Sequence, residues 1–167
     1  RSNPPDDVIA ALEADKYYRW ITYLYLPLQY AALVWACWLW STGTLSLADN
    51  IGLALTIGTV AGIGINTAHE LGHKKEKVER WLAKIALAQS FYGHFYIEHN
   101  RGHHVRVATP VDPASSRVGE SVYAFLPRTV TGSVASAWRL EQPRFRRRNQ
   151  SHWNIRNDVL NAWLMSF

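Results

Sequence analysis

Between Arg19 and Lys74 the chain carries only two formal charges, Asp49 and Glu70, and from Trp20 to Ala48 it carries none. A helix needs roughly 20 predominantly apolar residues to cross the hydrocarbon core of a bilayer, and this run supplies enough for two crossings. Spans are predicted at about 20–42 and 51–68. STGTLSLADN turns the chain between them, so the pair forms an antiparallel hairpin. Pro27 is expected to bend the first span, and Gly52, Gly58, Gly62 and Gly64 to let the second approach a neighbour closely. A membrane-embedded helix is predicted at about 81–97, a basic cytoplasmic region at about 98–156, and the start of a further span from about 158. The fold class is therefore all-α, a polytopic transmembrane helix bundle. The 167 residues are read as a fragment of one membrane domain, because the final apolar helix breaks off after one or two turns.

Ahead of the first span, NPPDDVIAALEADKYYRW is expected to form an acidic surface helix, and Arg1 to Asp15 lacks the apolar core of a signal peptide. The first span then serves as its own membrane address. The net charge of +5 is unevenly placed: residues 101–156 hold ten arginines against Asp112, Glu120 and Glu141. Basic loops beside apolar spans face the cytoplasm. No nucleic-acid fold signature accompanies them, so no nucleic-acid partner is expected. Cys37 is the only cysteine, which excludes an intrachain disulfide and a multi-thiolate metal site.

Five of the seven histidines fall in two short strings, HELGH at 69–73 and EHNRGHH at 98–104. His69 and His73, four apart, share a helical face, so one metal ion can reach both imidazoles. His99 and His103 repeat the spacing, and on an α-helix His104 is turned from His103 by about 100°, toward a different centre. Five imidazoles exceed one tetrahedral site, which points to two metal ions. Glu70 and Glu98 flank the ligands and are read as carboxylates that orient imidazoles, and His94 as a further neighbour of the site. A sulfur-free, imidazole-rich donor set suits iron or zinc. HELGH also fits H-E-x-x-H, the zinc protease pattern, which would leave most of EHNRGHH unused.

The strings NTAHELGHKKEKVERWLAKIALA and YGHFYIEHNRGHHVRVATPVDPASSRVGES closely resemble the integral-membrane alkane 1-monooxygenases, and the resemblance extends over nearly the whole chain. It implies a six-helix enzyme of the bacterial cytoplasmic membrane with its histidines on the cytoplasmic side. It further implies two non-haem iron ions, rubredoxin with its reductase as electron source, and insertion of one oxygen atom of O2 into the terminal methyl of an n-alkane. By position, His69, His73, His99, His103 and His104 match the first two histidine boxes of that family. An N-Y-x-E-H-Y-G motif and a third box, found further along in the family, do not occur in these residues. Membrane lipid is the surrounding solvent, and an acidic redox protein could meet the arginines at 146–148.

Aromatic residues crowd the first span. Trp35 and Trp38 are candidates for lining an alkane channel, where a bulky ring would limit chain length; the alternative is that they face lipid. Three other functions share parts of the pattern: a related membrane diiron fatty-acid desaturase or xylene-type hydroxylase, an intramembrane zinc protease, and a histidine-based metal carrier that consumes no O2.

Overall fold

The computed structural model describes Pro5, Val8, Ile9, Ala11, Leu12 and residues 15–167. Of the expected acidic surface helix at 3–20, Asn3, Pro4, Asp6, Asp7, Ala10, Glu13 and Ala14 lie outside these residues, while Val8, Ile9, Ala11 and Leu12 are helical. Among them every regular element is helical, as the apolar periodicity requires. The chain divides into two compact units, residues 1–60 and 61–167.

In the first unit, α1 (Tyr17–Ser41) runs through Pro27 and stops where Gly43 takes a positive φ of 65°. Glycine adopts that conformation without a Cβ clash. The next helix, α2 (Leu47–Gly72), starts at a reciprocal capping box. The Ser46 Oγ accepts from the Asp49 amide at 3.2 Å, and Asp49 Oδ2 accepts from the Ser46 amide at 3.2 Å and its hydroxyl at 2.6 Å. Both donors of that turn are thereby satisfied. The Tyr25 hydroxyl donates to the Val60 carbonyl at 2.6 Å, joining α1 to α2. Gly52 and Gly58 do not mark a close helix contact as expected: a Cβ built on either meets nothing within 4 Å.

At 26 residues and a mean hydropathy of 1.6, α2 is the one described helix long and apolar enough to cross a membrane. Its length, about 39 Å at 1.5 Å per residue, exceeds the bilayer core of about 30 Å. α1 is nearly as long, but its Trp and Tyr residues lower its hydropathy. Both helices expose large apolar side chains, among them Leu24, Leu28 and Val34 on α1 and Leu47, Ile51 and Leu55 on α2.

The second unit corrects the single helix expected at 81–97. α3 (Lys77–Ala88) buries Glu79, Ala83, Ala86 and Leu87 on one side and then ends. Phe91 adopts φ 54°, the Tyr92 amide bonds the Leu87 carbonyl at 3.2 Å, and the Phe91 amide bonds that of Ala88 at 3.3 Å. This left-handed helix stop normally takes glycine. The chain reverses and Gly93 packs on α7 (Asp158–Leu164), where an added Cβ would lie 2.6 Å from that of Ala162. α4 (Phe95–Glu98), a π-helical turn (His99–His103) and α5 (His104–Arg106) follow without a break.

Within the basic region expected at about 98–156 lies a 25-residue helix, α6 (Val122–Arg146), capped by the Ser121 hydroxyl and containing Pro127 and Pro143. It runs through QPRFR to Arg146, and Asn149, at φ 50°, turns the chain just beyond its end. Ile97, Ala137 and Val159 form a small core where α4, α6 and α7 meet, covered by Tyr96, Trp138, Leu140 and Trp163. Around it lies a knot of ion pairs. Asp158 accepts from Lys84 at 2.8 Å, Arg144 at 2.6 Å and Arg101 at 3.3 Å, while the fully buried Glu141 accepts from Arg101 at 2.5 Å. These pairs tie α3, the π turn, α6 and α7 together.

Candidate metal centre

His69 and His73 stand at the C-terminal end of α2 with their Nε2 atoms 3.1 Å apart, as the four-residue spacing dictates. The second string behaves differently. The His104 amide bonds back to the His99 carbonyl, an i→i+5 bond that puts one extra residue into the turn. In such a turn residues five apart come into register, so His104 rather than His103 is brought beside His99. The His104 and His99 Nε2 atoms are 3.0 Å apart, and His99 Nε2 lies 3.2 Å from His73 Nε2. The ligand nitrogens of His69, His73, His99 and His104 all lie within 4.8 Å of one another.

Hydrogen bonding alone does not account for this cluster. One Nε2 carries either a proton or a lone pair, yet the Nε2 atoms of His73 and His99 each have two close neighbours. At least one of the three contacts is therefore unsatisfied without a cation. Imidazole nitrogens sit about 2.0–2.1 Å from a bound metal, so two neighbouring ligands of one ion stand about 3 Å apart, which matches the spacing here. The donor set fits a single transition-metal ion. Burial, reinforced by neighbouring His69, His104, His73 and His103, lowers the His99 pKa to about 4; burial also lowers that of His73. Both rings keep a lone pair for a metal at neutral pH.

His103 turns away from the four. Its Nδ1 lies 2.8 Å from Asp112 Oδ2, and its ring stacks on that of His99 with centroids 5.4 Å apart. Asp112 is buried and accepts further bonds from the Ser115 hydroxyl at 2.6 Å and the Ala114 amide at 3.1 Å. Burial pushes its pKa up, but the bonds from Ser115, Ala114 and His103 outweigh this and hold it below the ordinary carboxylate value. An ionised carboxylate accepts the hydrogen bond of Nδ1–H, which leaves the lone pair of His103 on Nε2, the arrangement that carboxylates impose on metal-ligating histidines elsewhere. Sequence reasoning missed Asp112. The available signal was an aspartate in an arginine-rich, acid-poor stretch, within a D-P-x-S turn.

Glu70 is exposed, with Oε1 3.3 Å from His69 Nδ1. Glu98 does not orient an imidazole as expected. It accepts from Arg106 at 2.7 Å, and Arg106 in turn donates to Ser136 of α6 at 2.6 Å. Burial raises the Glu98 pKa despite that guanidinium. Gly102 lies against this pair: a Cβ there would come closer than 3.0 Å to both the Glu98 carboxylate and the Arg106 guanidinium. The His94 ring packs on Tyr92 and Trp163. It is buried with neither nitrogen hydrogen-bonded, so its contacts are aromatic rather than with the four clustered rings. Trp35 and Trp38 are exposed on α1, in the first unit.

The pattern that defines the fatty acid desaturase family matches residues 50–167. The chain belongs to that family. Among curated members and relatives it is 49% identical over 165 residues to the alkane 1-monooxygenase of Pseudomonas putida and 50% identical to that of Ectopseudomonas oleovorans, in each case over 99% of this chain and 41% of the relative. It is 31% identical to the xylene/toluene monooxygenase hydroxylase component of Pseudomonas putida, over 81% of this chain and 38% of that protein. The chain thus spans about two fifths of the length of these relatives. Within this desaturase-family chain, both histidine strings lie inside the matched residues.

Proposed function

We propose that this chain is part of an alkane 1-monooxygenase that converts n-alkanes to 1-alkanols at a histidine-bound diiron site. The observation that carries the chemistry is the cluster of four imidazole nitrogens at metal-ligand spacing. The substrate class rests on the identity of about one residue in two to alkane 1-monooxygenases across nearly the whole chain. His69, His73, His99 and His104 would hold one iron, and His103, oriented by Asp112, would offer its Nε2 to a second. An iron pair held there would supply activation of O2, so that one oxygen atom would enter a terminal C–H bond and the other leave as water, with two electrons from rubredoxin and two protons.

The residues of this chain contribute placement and shielding. Neutral imidazoles leave the metal charge uncompensated, Asp112 fixes one tautomer, and the ion pairs of Arg101 and Arg106 hold the π turn from both sides. The protein would sit in the bacterial cytoplasmic membrane with α1 and α2 as spans, which their exposed apolar surfaces support. Its histidines would then lie at the cytoplasmic end of α2. Trp35 and Trp38 would line the alkane path. A zinc protease is disfavoured because four imidazoles converge where that site uses two from HExxH.

Cells carrying the complete gene with rubredoxin and its reductase should form 1-octanol from octane, detected by gas chromatography, and His69→Ala or His104→Ala should abolish it. Absence of 1-octanol from membranes shown to contain the protein rejects the reading. The 31% identity to a xylene/toluene monooxygenase component favours a second reading, hydroxylation of an aromatic methyl group, which xylene in the same assay would reveal.

A further inference from the structure

α3 begins four residues after α2 ends and presents Lys77, Arg80 and Lys84 at helical spacing along one side. With Trp81, Tyr96, Arg101 and Asp158 these residues line a cleft of about 250 Å³. Lys84 is buried at its base, bonded to Asp158 at 2.8 Å and held 5.1 Å from the Trp81 ring and 5.5 Å from the Tyr96 ring. Asp158 and Glu141, the acids of the adjoining ion-pair knot, are already engaged by Lys84, Arg101 and Arg144. Lys77 and Arg80 are exposed at the mouth. Cleft and knot together hold an excess of three positive charges.

We propose that this cleft seats the phosphate of an anionic phospholipid, with Lys77 and Arg80 as its principal donors. The inference rests on the reading above that α2 spans the bilayer. The exposed outer residues of α3 favour lipid over an acidic protein. Val78 and Trp81, 64% and 49% exposed, form an apolar pair beside the basic pair, the pattern of a helix lying in the interface. Tryptophan favours the headgroup level, and basic residues just beyond a span attract anionic lipid. A recess of this size takes one headgroup, whereas a docked protein needs a broad surface of about 800 Å². The seat has a consequence for the metal centre. Arg101 lies between His99 and His103, so a phosphate in the cleft bears on the turn that carries these two ligand candidates and leads into His104.

The full-length protein reconstituted in phosphatidylcholine nanodiscs, with and without phosphatidylglycerol, tests this by native mass spectrometry of retained lipid. Phosphatidylglycerol should be retained in preference to phosphatidylcholine. Lys77→Gln with Arg80→Gln should weaken that retention about tenfold, while Arg147→Gln with Arg148→Gln, an equal loss of exposed charge, should leave it unchanged. Equal weakening in both pairs, no preference for phosphatidylglycerol, or displacement of the lipid by inorganic phosphate alone would each overturn the proposal. Unchanged circular dichroism keeps the comparison clear of misfolding. An alkaline carbonate wash separates the two readings: protein that stays in the membrane pellet without lipid preference loses only the headgroup seat, whereas protein that washes off loses the membrane assignment itself.

Discussion

Asp112 and His103 meet at 2.8 Å between Oδ2 and Nδ1, and this contact separates one histidine from the four that cluster beside it. The carboxylate is itself held by Ser115 and the Ala114 amide, so the imidazole is fixed by a partner that cannot readily swing. Loss of an orienting carboxylate of this kind typically costs 10–100-fold in metal affinity. Asp112→Asn in the complete enzyme should therefore lower iron retained after dialysis against a chelator, measured by plasma emission spectrometry, with secondary structure intact. Full retention would show that Asp112 serves the loop and not the ligand.

Gly102 is required by close approach rather than by its backbone angles. Gly102→Ala should push the buried Glu98 carboxylate away from the half-buried Arg106 and destabilise the protein by about 1–3 kcal/mol, the usual range for an overpacked interior. Melting of the purified complete enzyme reads this directly. An unchanged melting temperature would mean that the ion pair relaxes freely.

His94 predicts an acid-sensitive stability. Burial lowers its pKa to about 4, below the ordinary value of about 6.5, so the fold favours the neutral ring. Its contribution is complete above about 6.5 and is lost as pH falls toward 4, because the unfolded chain binds the proton first. His94→Phe, with His94→Leu as a second variant, should flatten the decline in melting temperature between those values relative to the parent. A decline identical in all three proteins would assign the acid sensitivity to other groups.

Arg146, Arg147 and Arg148 are exposed at the end of α6. If the proposed function holds and rubredoxin docks here, reversing all three to glutamate should lower kcat/KM for reduced rubredoxin and remove much of its dependence on salt, since charge steering is screened over about 10 Å at 0.1 M. Turnover driven by a small chemical reductant should be unaffected. A salt dependence equal to that of the parent would place the docking surface elsewhere.

If Trp38 lines the proposed alkane path, Trp38→Ala in the complete enzyme should extend the product range to longer 1-alkanols, read by gas chromatography of an alkane mixture. An unchanged range would assign Trp38 to the lipid face.

Much of this molecule is legible in the residues alone. The uncharged run marks α1 and the apolar run after Asp49 marks α2, whose start Ser46 and Asp49 set, because capping is a local matter of which side chains reach which amides. The i, i+4 spacing of His69 and His73 needs only helix geometry to become a paired ligand set. Elsewhere tertiary structure decided. An α-helix would have paired His99 with His103, but the π turn pairs it with His104, and the packing of Gly102 against the Glu98–Arg106 pair and the ties from Arg101 to Glu141 and Asp158 accompany that extra residue in the turn. The partners of His103 and Glu98 lie 9 and 8 residues away, and Glu141 and Asp158 lie 40 and 57 residues from Arg101. Periodicity reports which face a residue occupies within one element, and contacts between elements depend on how those faces meet. The sequence by itself named the candidate ligands, and the tertiary packing decided which of them stand together.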